Sequence, residues 1–139
     1  MNICIFVGAR PNFIKIAPIV RAIDKAKAEG KEIGSSLVYA GREDDPTLEP
    51  SLFDDLQIGR PDVCLGVDCV NLNELTGQVM SAFERYLQEH STDVVIVVDD
   101  LASTMAAAIV TKKQGILLAH LVAGTRSFDI SMPEEINRL

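Results

Sequence analysis

The sequence predicts an α/β domain built as a three-layer, Rossmann-like parallel sheet. Near the N-terminus, the continuous apolar run Ile3–Val7 stops at Gly8 and gives way to apolar residues at helical spacing. Further along, Val94–Val98 is a β-branched run, which is typical of a central parallel strand buried on both faces. Strand and helix patterns alternate along the chain without an internal repeat or a linker, and this alternation favours a doubly wound sheet.

After the first strand, an apolar stripe predicts a helix over Asn12–Ala28, which Gly30 brings to an end. Ser36–Ala40 is the second predicted strand, and the polar loop Gly41–Thr47 follows it. A weak helix over Leu48–Leu56, interrupted early by Pro50, comes next. At best a short strand is expected over residues 61–65.

The second half of the chain has clearer patterns. Asn71 followed by Glu74 resembles a capping box, and the apolar repeat after it predicts a strong amphipathic helix. Val94–Val98 is then followed by an alanine-rich helix over residues 101–114 and by a strand over residues 116–121. Pro133 opens a last helix that stops within six residues. This favours a chain excised from a longer protein, with a natural C-terminal helix as the alternative.

Composition narrows the class of protein. The 139 residues are about one domain in length, and 47% apolar residues suffice for a core. A net charge of −7 leaves no broad basic face, so nucleic acid is not expected as a partner. No apolar run reaches the length of a membrane span, and the N-terminus lacks a secretory signature, so we expect a cytoplasmic protein without a membrane partner.

The three cysteines, Cys4, Cys64 and Cys69, are odd in number and have no further Cys or His at zinc spacing. We therefore expect reduced thiols rather than a metal or redox site.

The first strand-to-helix turn is a candidate anion site. Gly8 permits a tight turn, Arg10 lies at the turn, and Pro11 suits a first helical position, so backbone N–H groups and a cation converge there. Lys15, about one turn further, can reach the same anion. The alternative is an ordinary first turn with a solvated Arg10, because no complete dinucleotide fingerprint or P-loop is present.

Ligands of such sheets bind beyond the carboxyl ends of the strands. The residues delivered to that edge are Gly8–Arg10, Gly41–Glu43, Asp99, Asp100 and His120–Arg126.

Four segments together resemble one enzyme family, the non-hydrolysing UDP-N-acetylglucosamine 2-epimerases. These segments are Gly8–Pro18, Val98–Thr104, Ala119–Asp129 and Met132–Arg138. Their order and spacing are kept over nearly the whole chain, and the last two form the most specific block.

The resemblance implies a GT-B-like fold of two Rossmann-type domains, of which residues 1–139 are the N-terminal one, with the UDP-binding domain outside this chain. It implies interconversion of UDP-GlcNAc and UDP-ManNAc in the synthesis of cell-envelope polysaccharide. The C2 proton leaves and UDP is expelled from C1, giving 2-acetamidoglucal. Reprotonation on the other face and re-addition of UDP complete the reaction. It implies no cofactor or metal, and a homodimer of the full-length protein.

The resemblance also implies roles for individual residues. Asp100 and Glu134 match carboxylates expected to act as acid and base. The matched substrate-binding positions are Arg10, Lys15, His120 and Arg138. For His120, an equally good alternative is a strand-end histidine that bonds only to the backbone.

Four sites at the predicted active edge depart from the family pattern, and one of them is two residues long. Val122 stands where the family usually has glutamate, and Asp99 stands where it usually has glycine. Ala9 replaces a threonine, and Arg42-Glu43 replaces Gln-His. A valine cannot transfer a proton, so the alternative function is a catalytically degenerate relative that binds a nucleotide sugar or serves assembly. A glycosyltransferase of similar fold is a weaker third hypothesis, because its signature blocks differ.

Overall fold

The computed structural model describes residues 1–139, and it confirms the predicted α/β class. Five parallel strands form one sheet in the order β3-β2-β1-β4-β5. The strands are β1 (Asn2–Val7), β2 (Gly34–Tyr39), β3 (Val63–Cys64), β4 (Val94–Val98) and β5 (Leu117–Leu121). The helices are α1 (Arg10–Ala28), α2 (Pro50–Leu56), α3 (Leu72–Glu89), α4 (Ala102–Lys113) and α5 (Pro133–Arg138).

The sheet is covered on both faces because successive residues of its central strands point to opposite sides. Cys4 and Phe6 of β1 pack with α3 and α4, where Phe83 lies 5.0 Å from Phe6 between ring centroids. Ile5 and Val7 pack on the other face with α1 and α2. The result is the three-layer arrangement that the apolar runs predict.

Local chemistry explains where the elements begin. Asn71 caps α3, since its side-chain oxygen accepts hydrogen bonds from the N–H groups of Asn73 and Glu74. The reciprocal half of the predicted capping box is absent, because the Glu74 carboxylate accepts from Gln78 instead. In α2, Pro50 is the first residue rather than an interruption, since a first helical position needs no backbone donor.

The strand order changes direction between β1 and β4, and this places the candidate site. β2 and β3 extend the sheet on one side of β1, whereas β4 and β5 extend it on the other. The loops that follow β1 and β4 therefore leave a crevice at the carboxyl edge of the sheet, which is where ligands of open α/β sheets bind.

Residues 122–132 connect β5 to the single turn and a half of α5 and leave apolar side chains in solvent. Phe128 is 91% exposed, and Ile130 and Val122 are exposed as well. The backbones of Val122 and Phe128 adopt the left-handed conformation, with φ of 60° and 61°. None of the helices combines the length and the apolar composition that crossing a membrane requires.

Candidate active site

The turn between β1 and α1 is built around a buried asparagine. Ala9 is the N-cap residue of α1 and supplies no side-chain cap. Asn12 is almost completely buried, and its side-chain oxygen accepts a hydrogen bond of 2.9 Å from the Gly8 N–H. Its amide group donates at 2.9 Å to the Asp99 carboxylate, beyond the end of β4. A single side chain thus ties together the two loops that border the crevice.

Asp99 also holds the lysine of the predicted anion site. Lys15 Nζ donates to Asp99 Oδ1 at 2.6 Å. The Asp99 backbone has φ of 64°, a conformation that glycine adopts freely and that aspartate tolerates better than most residues. Arg10, the other predicted cation, is exposed and forms no ion pair. The structure thus pairs Lys15 with a carboxylate of the protein and leaves Arg10 in solvent.

The next residue, Asp100, belongs to a second ionic cluster. Arg138 of α5 donates to Asp100 Oδ2 through Nε at 2.9 Å and through Nη2 at 2.7 Å. Its Nη1 donates at 2.9 Å to Glu135, and Asn137 donates at 2.8 Å to the Asp100 backbone carbonyl. The hydrogen bonds to Asp100 and Glu135 raise the pKa of the Arg138 guanidinium above its ordinary value.

Glu135 is the buried member of this cluster, with 3% of its surface exposed. It accepts hydrogen bonds from the Ser127 N–H at 2.8 Å and from the Ser127 hydroxyl at 2.9 Å. The backbone hydrogen bond from Ser127, followed by its hydroxyl and by Arg138, lowers the pKa of Glu135 below its ordinary value. Glu135 therefore stays ionised and joins the loop after β5 to α5.

The remaining predicted positions lie around these clusters. Glu134 is exposed on α5 and makes no hydrogen bond with its side chain. His120 Nε2 lies 2.6 Å from the backbone carbonyl oxygen of Asp99. This contact agrees with the alternative prediction for His120, a strand-end histidine that bonds to the backbone. Val122 follows β5 and is half exposed.

A cleft of about 490 Å³ opens beside the β1 turn, between the loops that follow β1, β2 and β3. Ser103, at the start of α4, is buried, lines this cleft and approaches Gly8 closely. On the far wall, the Tyr39 hydroxyl donates to Asp45 at 2.6 Å. Arg42, one of the departures from the family pattern, pairs with the neighbouring Asp44 at 2.8 Å.

The structure adds residues that the sequence analysis did not single out. Asn12 and Glu135 are its two buried polar connectors. For Glu135, a signal existed in its spacing of three residues from Arg138, which allows an ion pair within one helical turn. For Asn12, no local pattern indicates a partner 87 residues away in the sequence.

No group of three or more potential metal ligands is gathered in the structure.

Comparisons with known proteins agree on one family. Residues 25–139 match the family model described as UDP-N-acetylglucosamine 2-epimerase. A UDP-N-acetylglucosamine 2-epimerase homolog of Methanococcus maripaludis is 37% identical over 139 residues, which is 100% of this chain and 37% of that protein. A UDP-2,3-diacetamido-2,3-dideoxy-D-glucuronate 2-epimerase of Pseudomonas aeruginosa is 33% identical over all of this chain and 38% of its own length.

Solved structures give the same result for the fold. The UDP-GlcNAc 2-epimerase of Methanocaldococcus jannaschii, in complex with UDP-GlcNAc and UDP, matches with a TM-score of 0.85 and 34% identity. The Neisseria meningitidis enzyme bound to UDP-GlcNAc matches with a TM-score of 0.87 and 27% identity. This chain is covered to 99% in both cases and each structure to 37%, in the N-terminal part of its GT-B-like fold. The chain thus spans little more than a third of the length of these relatives.

Proposed function

The chain belongs to the UDP-N-acetylglucosamine 2-epimerase family, and we propose that it is the N-terminal domain of an enzyme that interconverts UDP-GlcNAc and UDP-ManNAc. In this proposal the enzyme needs no cofactor, and the reaction proceeds by elimination and re-addition of UDP through 2-acetamidoglucal. Asp100 and Glu134 exchange the C2 proton on opposite faces of the sugar. Such a pair is required because inversion at C2 removes a proton from one face and returns it to the other.

The fixed position of Asp100 is the observation that carries this proposal. Two guanidinium nitrogens of Arg138 hold one of its oxygens, and Asn137 holds its backbone carbonyl. The other carboxylate oxygen has no hydrogen-bond partner in the protein, and the side chain is partly exposed at the carboxyl edge of the sheet. A carboxylate that is oriented on one side and open on the other is suited to proton transfer with a bound sugar.

The cations of the β1 turn serve the leaving group. Arg10 is exposed at the N-terminus of α1, where the helix dipole also favours an anion. It can therefore approach a diphosphate without first giving up an ion pair. Lys15 is already paired with Asp99, so its interaction with the diphosphate competes with that ion pair.

A second domain would complete the site in this proposal. The relatives are almost three times as long as this chain, and the exposed apolar residues Phe128 and Ile130 lie beside the carboxyl edge that such a domain would cover. The full-length protein would bind UDP mainly on that second domain, work in the cytoplasm and form a homodimer.

The test is an epimerisation assay of the full-length protein by NMR, starting from UDP-GlcNAc. We expect formation of UDP-ManNAc, and a loss of at least about 100-fold in kcat for Asp100→Asn, which is the low end of the effect of removing an acid–base group. Asp55→Asn is the matched control, because Asp55 is exposed on α2 and its side chain forms no hydrogen bond or ion pair. Full activity of Asp100→Asn would contradict the proposed role of this carboxylate.

Val122 favours a second candidate, a relative that binds a nucleotide sugar without converting it. An aliphatic side chain is exposed in the loop after β5, at the position of the family's usual glutamate. Comparing wild type with Val122→Glu in the same epimerisation assay distinguishes the two candidate functions. Turnover by wild type supports the enzyme. Binding of UDP-GlcNAc without turnover, together with turnover by Val122→Glu, would support the binding protein instead.

A further inference from the structure

The carboxylate of Asp99 occupies two donors at the β1–α1 turn, and one of them is the Lys15 ammonium group that a bound anion would otherwise use. Lys15 Nζ donates to one of its oxygens at 2.6 Å, and the Asn12 amide donates to the other at 2.9 Å. Asn12 is itself bonded to the Gly8 N–H. The carboxylate of Asp99, which follows β4, thus already places a negative charge beside the first turns of α1.

The backbone holds this carboxylate firmly in place. The Asp99 N–H donates to the Leu121 carbonyl at 3.1 Å, and the imidazole of His120 bonds to the Asp99 carbonyl at 2.6 Å. The left-handed backbone of Asp99 aims the side chain across the crevice toward α1, where Lys15 and Asn12 lie. Both β5 and α1 therefore fix the internal anion.

We infer that Asp99 competes with the ligand's diphosphate for Lys15 and thereby weakens the affinity of this site for nucleotide diphosphates. This inference rests on the proposed function. The Lys15 side chain is 44% exposed, so a ligand can reach its ammonium group, whereas that of Asp99 is only 14% exposed. A diphosphate that engages Lys15 must either displace Asp99 or lie beside it, and two like charges so close repel each other.

The chain offers variants that separate charge from structure. Asp99→Asn keeps the size of the side chain and an oxygen that can accept from Asn12, and asparagine tolerates the left-handed backbone. Asp99→Gly removes the side chain and suits that backbone as well. Asp55→Asn removes one negative charge from an exposed position on α2 and controls for the change in net charge.

The experiment is calorimetric titration of the full-length protein with UDP, with thermal melts to check that each variant is folded. We expect Asp99→Asn and Asp99→Gly to bind UDP about fivefold more tightly than wild type, the ratio that corresponds to ~1 kcal/mol for a surface ion pair. Adding Lys15→Met to Asp99→Asn should abolish this gain. Asp55→Asn should bind as wild type does.

The outcomes separate this inference from the proposed function. If wild type binds UDP and neither change at Asp99 tightens binding, the inference is wrong and the proposed function stands. If binding tightens equally with and without Lys15, competition for Lys15 is refuted. If no variant binds UDP, the proposed function fails and the inference fails with it.

Discussion

Replacing Gly8 by alanine should destabilise the protein, because β1 and the start of α4 meet at this residue without room for a side chain. A Cβ atom at Gly8 would lie 2.0 Å from Ser103 Oγ, 3.2 Å from Ser103 Cβ and 3.2 Å from Leu101 Cδ1. Ser103 is buried, so rotation of its hydroxyl relieves the first contact only in part. The two contacts at 3.2 Å remain, so Ser103 and the Leu101 side chain must also move by a few tenths of an ångström.

The expected size of the effect follows from these contacts. Overpacking of a close-packed interior costs about 1–3 kcal/mol, and we expect ~2 kcal/mol for Gly8→Ala. In a domain of this length, each kcal/mol lowers Tm by about 3–4 °C, so Tm should fall by about 7 °C. Urea denaturation gives the free energy of unfolding, and calorimetry gives Tm.

A double-mutant cycle tests whether Ser103 is the cause. Ser103→Ala removes the oxygen that makes the shortest contact, so it should recover about half of the loss in the Gly8→Ala background and change little by itself. Gly77→Ala is the matched control, because Gly77 lies inside α3 with nothing within 4 Å of its added Cβ. This change should stabilise the protein by about 0.5–1 kcal/mol. The reasoning is refuted if Gly8→Ala matches wild type or if Ser103→Ala recovers nothing.

Three further predictions concern the interior and the ionic cluster. The Cys4 thiol, whose pKa burial raises to about 12, should resist Ellman's reagent at pH 8 until the protein unfolds, and labelling of three thiols in native protein would contradict this. Phe83→Ala should cost about 3–5 kcal/mol in urea denaturation, because the ring is fully buried between Phe6 and Tyr86, and a loss below ~1 kcal/mol would be inconsistent with that packing. The lowered pKa of Glu135 means that its contribution to stability is present above its ordinary value of 4.5 and is lost as the pH falls through its lower value in the folded protein. Tm of Glu135→Gln should therefore fall less than that of wild type between pH 6 and pH 3, and parallel curves would refute this.

The sequence was sufficient for the parts of the fold that depend on long patterns. The change of period at Gly8 and the β-branched run Val94–Val98 identified β1, α1 and β4, because burial on both faces leaves a clear signal in composition. The weak segments were placed less well. β3 is only the pair Val63–Cys64, and a strand that short at the edge of a sheet has too few side chains to show a period.

The contacts of the candidate site could not be predicted from the sequence, for a different reason. Glu134 and Glu135 are neighbours at the start of α5, and the helix phase decides which of them is buried. Helix α5 has only six residues, and its apolar residue Ile136 is half exposed. Its apolar pattern therefore does not predict which side of the helix is buried. The pairing of Lys15 with Asp99 depends on the left-handed backbone conformation of Asp99. Aspartate also occurs in ordinary turns, so its presence in the sequence does not predict that conformation.

The two departures from the family pattern that flank the crevice share a structural property. Asp99 and Val122 follow the neighbouring strands β4 and β5 directly, and both have left-handed backbones. The conformation of Asp99 suits the glycine of the family pattern, and aspartate also adopts it while adding a charge. Valine is poorly suited to this conformation because it is β-branched, so it adopts it only with strain. At both positions a left-handed backbone thus carries a side chain that differs from the family pattern. Under the proposed function, these changes bear on ligand binding and proton transfer more than on the fold.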